Sequence, residues 1–100
     1  MVGAVHRLRS LIDKKGEQFS VGVISHRGVF SIISHAQARI YATEASLSGA
    51  NTPIYSIMVR DDDTTLVTDT ISWAGLSLGV HAITKRRLFS NTLFKVIIAS

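Results

Sequence analysis

The chain has 100 residues, of which 46% are hydrophobic and 18% are charged, a composition that fits one small folded domain and excludes a disordered tail. It contains no cysteine, which excludes a disulfide scaffold, a thiolate zinc site and a cysteine nucleophile. The formal net charge of +4 permits contact with nucleic acid without demonstrating it, and no apolar run reaches the roughly 20 residues of a membrane-spanning helix.

The N-terminal segment has the pattern of an amphipathic helix. Apolar residues recur at helical spacing on one face, and the arginines lie mostly off that face. Lys14 and Lys15 fall in the last turn, where cations suit the negative end of the helix dipole, and Gly16 favours a left-handed stop. We therefore predict a helix over residues 2–15 that packs on the rest of the domain. Its apolar face consists of Val2, Val5, Leu8, Leu11 and Ile12.

Strand patterns follow this helix. Apolar and polar residues alternate over 19–23, and residues 29–33 form a second run rich in β-branched and aromatic types. These runs predict a β-hairpin that turns at Arg27-Gly28. Residues 38–42 read Ala-Arg-Ile-Tyr-Ala, which we interpret as a strand, although the surrounding Ala, Gln and Glu also favour a helix. Residues 46–53 are rich in Ser, Gly, Asn and Thr, hold the single proline, and predict a surface loop.

The second half of the chain has strand patterns joined by short polar segments. Strands are predicted over residues 54–60, 70–73, 76–82 and 93–99, with a polar connection at 61–65, a tight turn at Ala74-Gly75 and a basic polar loop at 85–91. Trp73, the single tryptophan, lies at a hairpin tip, where covering the core is favoured over anchoring an interface.

These elements predict a mainly β fold in a single domain over residues 1–100. One amphipathic helix at 1–15 precedes about six or seven short strands at 17–99, which is typical of a small β-barrel, closed or nearly closed, or of a sandwich. A small domain with so much apolar surface gains stability by associating with copies of itself. We therefore expect a homo-oligomer.

No catalytic arrangement is visible, and we expect the protein not to be an enzyme. The chain lacks a nucleophile elbow, a phosphate-binding glycine loop and a carboxylate pair suited to acid–base work. The histidines show no metal-ligand spacing, so ordinary surface or half-buried histidines are favoured over a metal site assembled by the fold. No metal or cofactor is expected. The histidines are His6, His26, His35 and His81.

Two charged runs remain. Asp61, Asp62 and Asp63 offer oxygens to a hard cation but lack the ligand spacing and turn glycine of a calcium loop, which favours a solvated loop. The basic run of Lys85, Arg86 and Arg87 precedes an aromatic residue, Phe89. Such a loop could follow a phosphate backbone and stack one base. A monomeric barrel that binds single-stranded nucleic acid through this loop is therefore an alternative function.

Three short motifs recur in one known family. Residues 14–17 read Lys-Lys-Gly-Glu and lead into the first strand, residues 38–42 match an Ala-x-Ile strand, and residues 69–71 read Asp-Thr-Ile before a glycine turn at 74–75. Thr68 stands where a glycine is usual. The order of the elements over most of the chain resembles the neck proteins of tailed bacteriophages, the head-closure, head-completion or head–tail joining family.

The resemblance implies a structural virion protein of the neck, made in the host cytoplasm. Copies would form a ring that extends the DNA channel, helps to retain the packaged genome and docks the tail. Its partners would be other copies, portal or adaptor proteins, tail proteins, and double-stranded DNA that passes through without sequence recognition; no membrane is involved. A minor tail or tail-completion protein would have the same architecture and different neighbours in the particle.

Elements that project from a barrel are the candidate contact surfaces in such a ring. We predict that the helix and the two loops contact other subunits, the portal or the tail. A further hypothesis is that Asp61, Asp62 and Asp63 face the channel, where acidic groups would keep DNA from adhering. The candidate interface residues are Val5, Leu8 and Leu11 on the helix, Ser48, Asn51 and Pro53 in the first loop, and Arg86, Arg87, Leu88 and Phe89 in the second.

Overall fold

A computed structural model of the chain describes residues 2–88 and 91–100. The strands pair antiparallel throughout and close into a barrel in the order β1-β2-β3-β6-β5-β4. The predicted mainly β fold with one N-terminal helix is thereby confirmed, as a barrel rather than a sandwich. In chain order the elements are α1 (Val2–Lys15), β1 (Glu17–Val21), β2 (Ile24–Ile33), α2 (His35–Ala38), α3 (Glu44–Leu47), β3 (Ile54–Arg60), β4 (Thr70–Trp73), β5 (Leu76–Leu88) and β6 (Asn91–Ala99).

The last strand is apolar on both faces because both faces are buried. Ile97 and Ala99 point into the barrel, whereas Val96 and Ile98 belong to a second apolar cluster on the outer surface. Residues 35–50 cover that outer cluster, so this strand needs no polar face. The main core inside the barrel comprises Phe19, Tyr55, Ile57, Val59, Ile71, Leu78, Val80, Ile97 and Ala99.

The cover over the outer cluster corrects two sequence-based predictions. Residues 38–42 are not a strand, because α2 occupies His35–Ala38 and turns follow it. Residues 46–53 are not wholly a surface loop, because α3 extends to Leu47, whose side chain is 2% exposed. A capping box at Ser34 begins α2, and the Thr43 hydroxyl accepts from the Ser46 amide to begin α3.

The first hairpin turns at Gly22-Val23, not at the predicted Arg27-Gly28. Gly22 has a φ of 62°, in the left-handed region that glycine adopts at little cost. The chain therefore reverses there, and β2 continues through Arg27-Gly28 as one long strand. Its first half pairs with β1 and its second half pairs with β3.

Gly28 serves close packing rather than a turn. A Cβ atom added at this position would lie 2.5 Å from Cγ2 of Ile57 and 3.0 Å from Cγ1 of Val59. Glycine within a strand often marks such an approach of neighbouring atoms. The residue that suggested a turn in the sequence is thus the point where the barrel interior leaves no room for a side chain.

Helix α1 has the predicted bounds and packs across β2, β3 and β6. Ile12 on its inner face is fully buried. Gly16 is not in the predicted left-handed conformation, since positive φ values occur at other glycines. Its amide donates to the Ile12 carbonyl at 2.7 Å, and a Cβ would collide with that carbonyl oxygen and lie 3.1 Å from the Gly28 oxygen. Close approach of the two backbones therefore accounts for this glycine.

Strand β5 is longer than its pattern predicts. It extends from Leu76 to Leu88, so Lys85, Arg86 and Arg87 belong to a strand and not to a loop. The tight turn before it is confirmed: Ala74 and Gly75 have φ values of 50° and 78°. No helix within the described residues is long and apolar enough to cross a membrane.

Candidate assembly interface

Large apolar side chains are exposed at one end of the barrel, which we call the hairpin end. Val23, at the tip of the β1–β2 turn, is fully exposed, and Ile24 beside it is 58% exposed. Because Val21 pairs with both Ile24 and Ile71, the residues that lead into β4 lie at this same end. The exposed apolar residues of the hairpin end are Val23, Ile24, Leu66 and Val67.

A second apolar surface lies at the opposite end, which we call the groove end. Phe30 and Trp73 stack there with ring centroids 4.1 Å apart, and the Tyr55 ring contacts Trp73 edge-on at 5.3 Å. These rings, with Glu17 and Ile32, line a groove with a volume of about 390 Å³. Trp73 packs against the core as predicted, and its half-buried ring also lines the groove.

The groove is bordered by exposed aliphatic side chains. Ile32 is 70% exposed although it pairs with Tyr55, whose side chain is in the core. Leu76 is 45% exposed and pairs with Trp73 across the β4–β5 hairpin. Exposed apolar surface next to aromatic rings is typical of sites that bind another protein.

Neither apolar end was predicted from the sequence. Val23 was read as part of a strand face, whereas it occupies the turn that Gly22 makes possible. Reading Gly22 as the turn residue would have put Val23 at the tip. No sequence signal would have joined Phe30 to Trp73, because their contact depends on closure of the barrel.

The acidic run is not the predicted solvated loop, because each carboxylate has a basic partner. The Arg9 guanidinium donates to both oxygens of Asp61, at 2.7 and 3.0 Å. These hydrogen bonds are the main reason why the pKa of Asp61 lies below its usual value, and Asp61 in turn raises the pKa of Arg9. Asp62, half exposed, accepts from Arg60 at 3.1 Å.

The third carboxylate of the run is the most deeply buried. Oδ2 of Asp63 lies 2.8 Å from Nδ1 of His26, and both side chains are 7% exposed. The other oxygen, Oδ1, accepts from the Thr65 amide at 2.9 Å. The Asp63 carbonyl accepts from Lys95 at 2.7 Å. These bonds hold the connection between β3 and β4 against the barrel.

The basic residues of β5 have different environments. The Arg86 guanidinium lies over the Tyr41 ring, 4.8 Å from its centroid, so this charge stacks within the chain. Lys85 and Arg87 are exposed. Of the three cations of the predicted basic loop, which is strand here, only Lys85 and Arg87 are therefore exposed to solvent.

The predicted interface residues do not form one surface. On α1, Leu11 is 43% exposed and Leu8 is half-buried, and Val5 lies on the same helix. Leu88 ends β5, and Phe89 lies outside the described residues. The residues after α3, which remain exposed, are Ser48, Asn51 and Pro53.

The histidines have separate surroundings. His6 and His35 are exposed on α1 and α2, His81 lies 2.6 Å from the Ser100 hydroxyl, and His26 pairs with Asp63. Over residues 2–88 and 91–100, no group of three or more His, Asp or Glu side chains is arranged to hold a metal ion.

Comparison of the chain with known proteins finds no matching family model, no matching curated protein and no matching solved structure.

Proposed function

We propose that the chain is a structural subunit of a tailed-phage neck, where copies form a ring between portal and tail. The observation that carries this proposal is the exposure of apolar side chains at both ends of a closed barrel. Val23 is fully exposed at the hairpin end, and Ile32 is 70% exposed at the groove end. Such side chains are stabilised when another protein surface covers them.

Two different apolar surfaces suit a ring better than a two-fold dimer. A cyclic ring needs heterologous contacts, in which one surface of each subunit meets a different surface of the next. The hairpin end and the groove end differ in shape and in side chains, and the elements at each end are distinct. The order of one helix followed by the barrel strands also fits the resemblance to neck proteins.

The proposed work is mechanical. The ring would extend the DNA channel, help to retain the packaged genome and present a docking surface to the tail. DNA would pass without sequence recognition. In this ring Asp61, Asp62 and Asp63 would lie on the channel wall. Because Asp61 and Asp62 form ion pairs with arginines, the three aspartates would repel DNA less strongly than three unpaired carboxylates. A tail-completion role uses the same architecture with other neighbours.

The nucleic-acid alternative rests on one observation, the exposure of Lys85 and Arg87. Two exposed cations can contact phosphates, and their contribution to affinity falls as salt rises. Arg86 contributes less to such a surface, because its guanidinium stacks on Tyr41. We rank this function below the ring.

Quantitative mass spectrometry of purified phage particles from the source culture tests the proposal. We expect peptides of this chain, such as residues 40–60, at a small fixed copy number relative to the major capsid protein, on the scale of one ring. Cryo-electron microscopy of the same particles would then locate the ring. Absence of the chain from particles that are otherwise complete would refute the virion role.

A further inference from the structure

Strand β2 has one edge that is only half covered. Its residues 24–28 pair with β1, and the last of these pairs joins Gly28 to Glu17, the first residue of β1. Residues 29–33 pair with β3 on one side, and no strand among the described residues lies on the other. Backbone donors and acceptors on such an edge can pair with an added strand.

The side chains beside this edge leave apolar surface uncovered. Phe30 and Ile32 are two residues apart, so both lie on the barrel side of the sheet, where Phe30 packs against the core. Ile32 pairs with Tyr55, which is 8% exposed, yet Ile32 itself is 70% exposed. Its neighbour on β3 does not bury it, because the opposite side, where a second strand would lie, is open.

The groove beside this edge has a negative charge although the chain is basic. Glu17 is the only charged residue among the described residues that line the groove, and the formal net charge of the chain is +4. Glu17 is exposed and makes no ion pair within residues 2–88 and 91–100. A carboxylate beside aromatic rings attracts a lysine or an arginine, which also binds to the ring faces, and it repels phosphates. The charge therefore favours a cationic protein segment over nucleic acid at this site.

We propose that the groove end binds an extended segment of a different protein, which adds a strand to β2 along residues 29–33 and places a lysine or an arginine beside Glu17. Apolar side chains of that segment cover Ile32. The segment comes from a different protein, because every extended segment of this chain that the structure describes already belongs to the barrel.

This site goes beyond the proposed ring, because its occupant is not a second copy. The added strand lies in the groove, so the hairpin end and Leu76 at the border of the groove stay available for contacts between copies. In a phage neck, a portal or tail protein would supply the segment.

Selection from a library of random short peptides tests the site. The peptides are displayed on yeast cells and sorted for binding to the purified chain, with a counter-sort against the Ile32→Ser variant to remove peptides that bind elsewhere. Enriched peptides should alternate apolar and polar residues, as a strand with one face on an apolar groove does. They should also carry a lysine or an arginine at a fixed distance from the apolar residues.

Two pairs of variants locate the binding of the most enriched peptide, measured by fluorescence anisotropy. Ile32→Ser should weaken binding by about tenfold or more. Its matched control is Ile40→Ser, since Ile40 is 71% exposed and lies outside the groove. Glu17→Gln should weaken binding by about fivefold to tenfold. Its control is Gln18→Lys, which changes the net charge by the same amount on the opposite face of β1, and both controls should bind like the unmodified chain.

Hydrogen exchange distinguishes an added strand from docking through side chains alone. With the peptide bound, amide protons of residues 29–33 that point away from β3 should exchange about tenfold more slowly or less. N-methylation of alternate peptide residues removes backbone donors and keeps the side chains. It should abolish binding in one of the two alternating sets and be tolerated in the other, because only every second residue of a strand donates to a given neighbour.

The outcomes separate this site from the ring. The absence of enriched peptides, binding that survives both Ile32→Ser and Glu17→Gln, or binding that leaves the exchange of residues 29–33 unchanged would each overturn the site. Enrichment of acidic peptides would also overturn it. All of these measurements use the purified chain, so their failure leaves the ring proposal standing. Absence of the chain from phage particles would refute the virion role and leave this site unaffected.

Discussion

Nδ1 of His26 lies 2.8 Å from Oδ2 of Asp63, and both side chains are buried, with 7% of their surface exposed. The pair joins strand β2 to the connection between β3 and β4. The Phe19 ring is stacked on His26 at 5.2 Å. This polar contact thus helps to hold the connection that carries Leu66 and Val67, two of the exposed apolar residues of the hairpin end.

Removing either partner of this pair should destabilise the domain. Asp63→Ala leaves the His26 ring nitrogen and the Thr65 amide without their acceptor, and a buried unsatisfied group costs about 1–3 kcal/mol. We expect a loss of about 2–3 kcal/mol in the free energy of unfolding, measured by urea denaturation. Asp62→Asn is the control, because Asp62 is half exposed, and it should stay within about 0.5 kcal/mol. Equal losses in the two variants would contradict the buried contact.

The ion pair between Arg9 of helix α1 and Asp61 of the β3–β4 connection should weaken in acid. Hydrogen bonds from Arg9 hold the pKa of Asp61 below its ordinary value, which is about 3.9 in an unfolded chain. A carboxylate whose pKa is lowered in the folded state contributes stability that is fully present at pH values above its pKa in the unfolded chain. That contribution is lost as the pH falls through the pKa of the carboxylate in the folded state.

Comparison with Asp61→Asn isolates this contribution. The variant should have a melting temperature about 2–5 °C lower near neutral pH. The difference should shrink as the pH falls below about 5, through the lowered pKa of Asp61 in the folded state, since protonation removes the charge of the native side chain. A difference that stays constant over this range would show that the ion pair does not stabilise the helix contact.

The sequence predicted elements whose signal is local. Residues 54–60 are rich in β-branched and other apolar types and form β3, and the nearly all-apolar run at the end forms β6. The helices α2 and α3 were missed because each is a single turn, too short for helical periodicity to show. What decides their conformation is the outer face of β6, where Val96 and Ile98 require cover, and that requirement appears only once the strands are paired.

The polar contacts were unpredictable for the same reason. Asp61 and Arg9 are 52 residues apart, and His26 and Asp63 are 37 apart, so nothing in the local pattern links them. Three adjacent aspartates suggested a solvated loop because a sequence shows charge without its partners. The hairpin was misplaced because Gly22 and Gly28 are both possible turn residues, and only packing against Ile57 distinguishes them.

A methyl group at Gly28 should be costly. Its Cβ would lie 2.5 Å from the Ile57 side chain inside the barrel, and overpacking of a core costs about 1–3 kcal/mol. We expect Gly28→Ala to lower the free energy of unfolding by that amount in urea denaturation. Gly3→Ala is the matched control, since nothing lies within 4 Å of a Cβ there and alanine favours helix α1 by about 0.5–1 kcal/mol. Similar effects at both positions would contradict the packing role of Gly28.

The role of the exposed hairpin tip in self-association can be tested by a substitution that leaves stability unchanged. Val23 is fully exposed, so Val23→Ser should leave the free energy of unfolding within about 0.5 kcal/mol. If the hairpin end is covered in a ring, the same substitution should weaken self-association, measured by sedimentation across a concentration series. A second variant, Val67→Ser, changes a residue that is 54% exposed at the same end and should act in the same direction. Unchanged association in both variants would exclude the hairpin end from the interface.

The three basic residues of β5, Lys85, Arg86 and Arg87, should differ in how much they contribute to stability. Arg86→Ala removes the stacking on Tyr41 and should cost about 0.5–1 kcal/mol, whereas Lys85→Ala and Arg87→Ala should change the free energy of unfolding by less than about 0.5 kcal/mol.

The same variants decide between the two proposed functions. For a ring subunit we expect only weak binding to oligothymidine, measured by fluorescence anisotropy, and little difference between the unmodified chain and K85A/R87A. If the chain binds single strands through this strand, the logarithm of the binding constant should fall steeply with the logarithm of salt, by about 0.7 per phosphate contact. In K85A/R87A the slope should then be shallower, by an amount that corresponds to the loss of about one to two phosphate contacts. Tight binding with that change in slope would favour the nucleic-acid function over the ring, because two exposed cations affect salt dependence only if they touch phosphates.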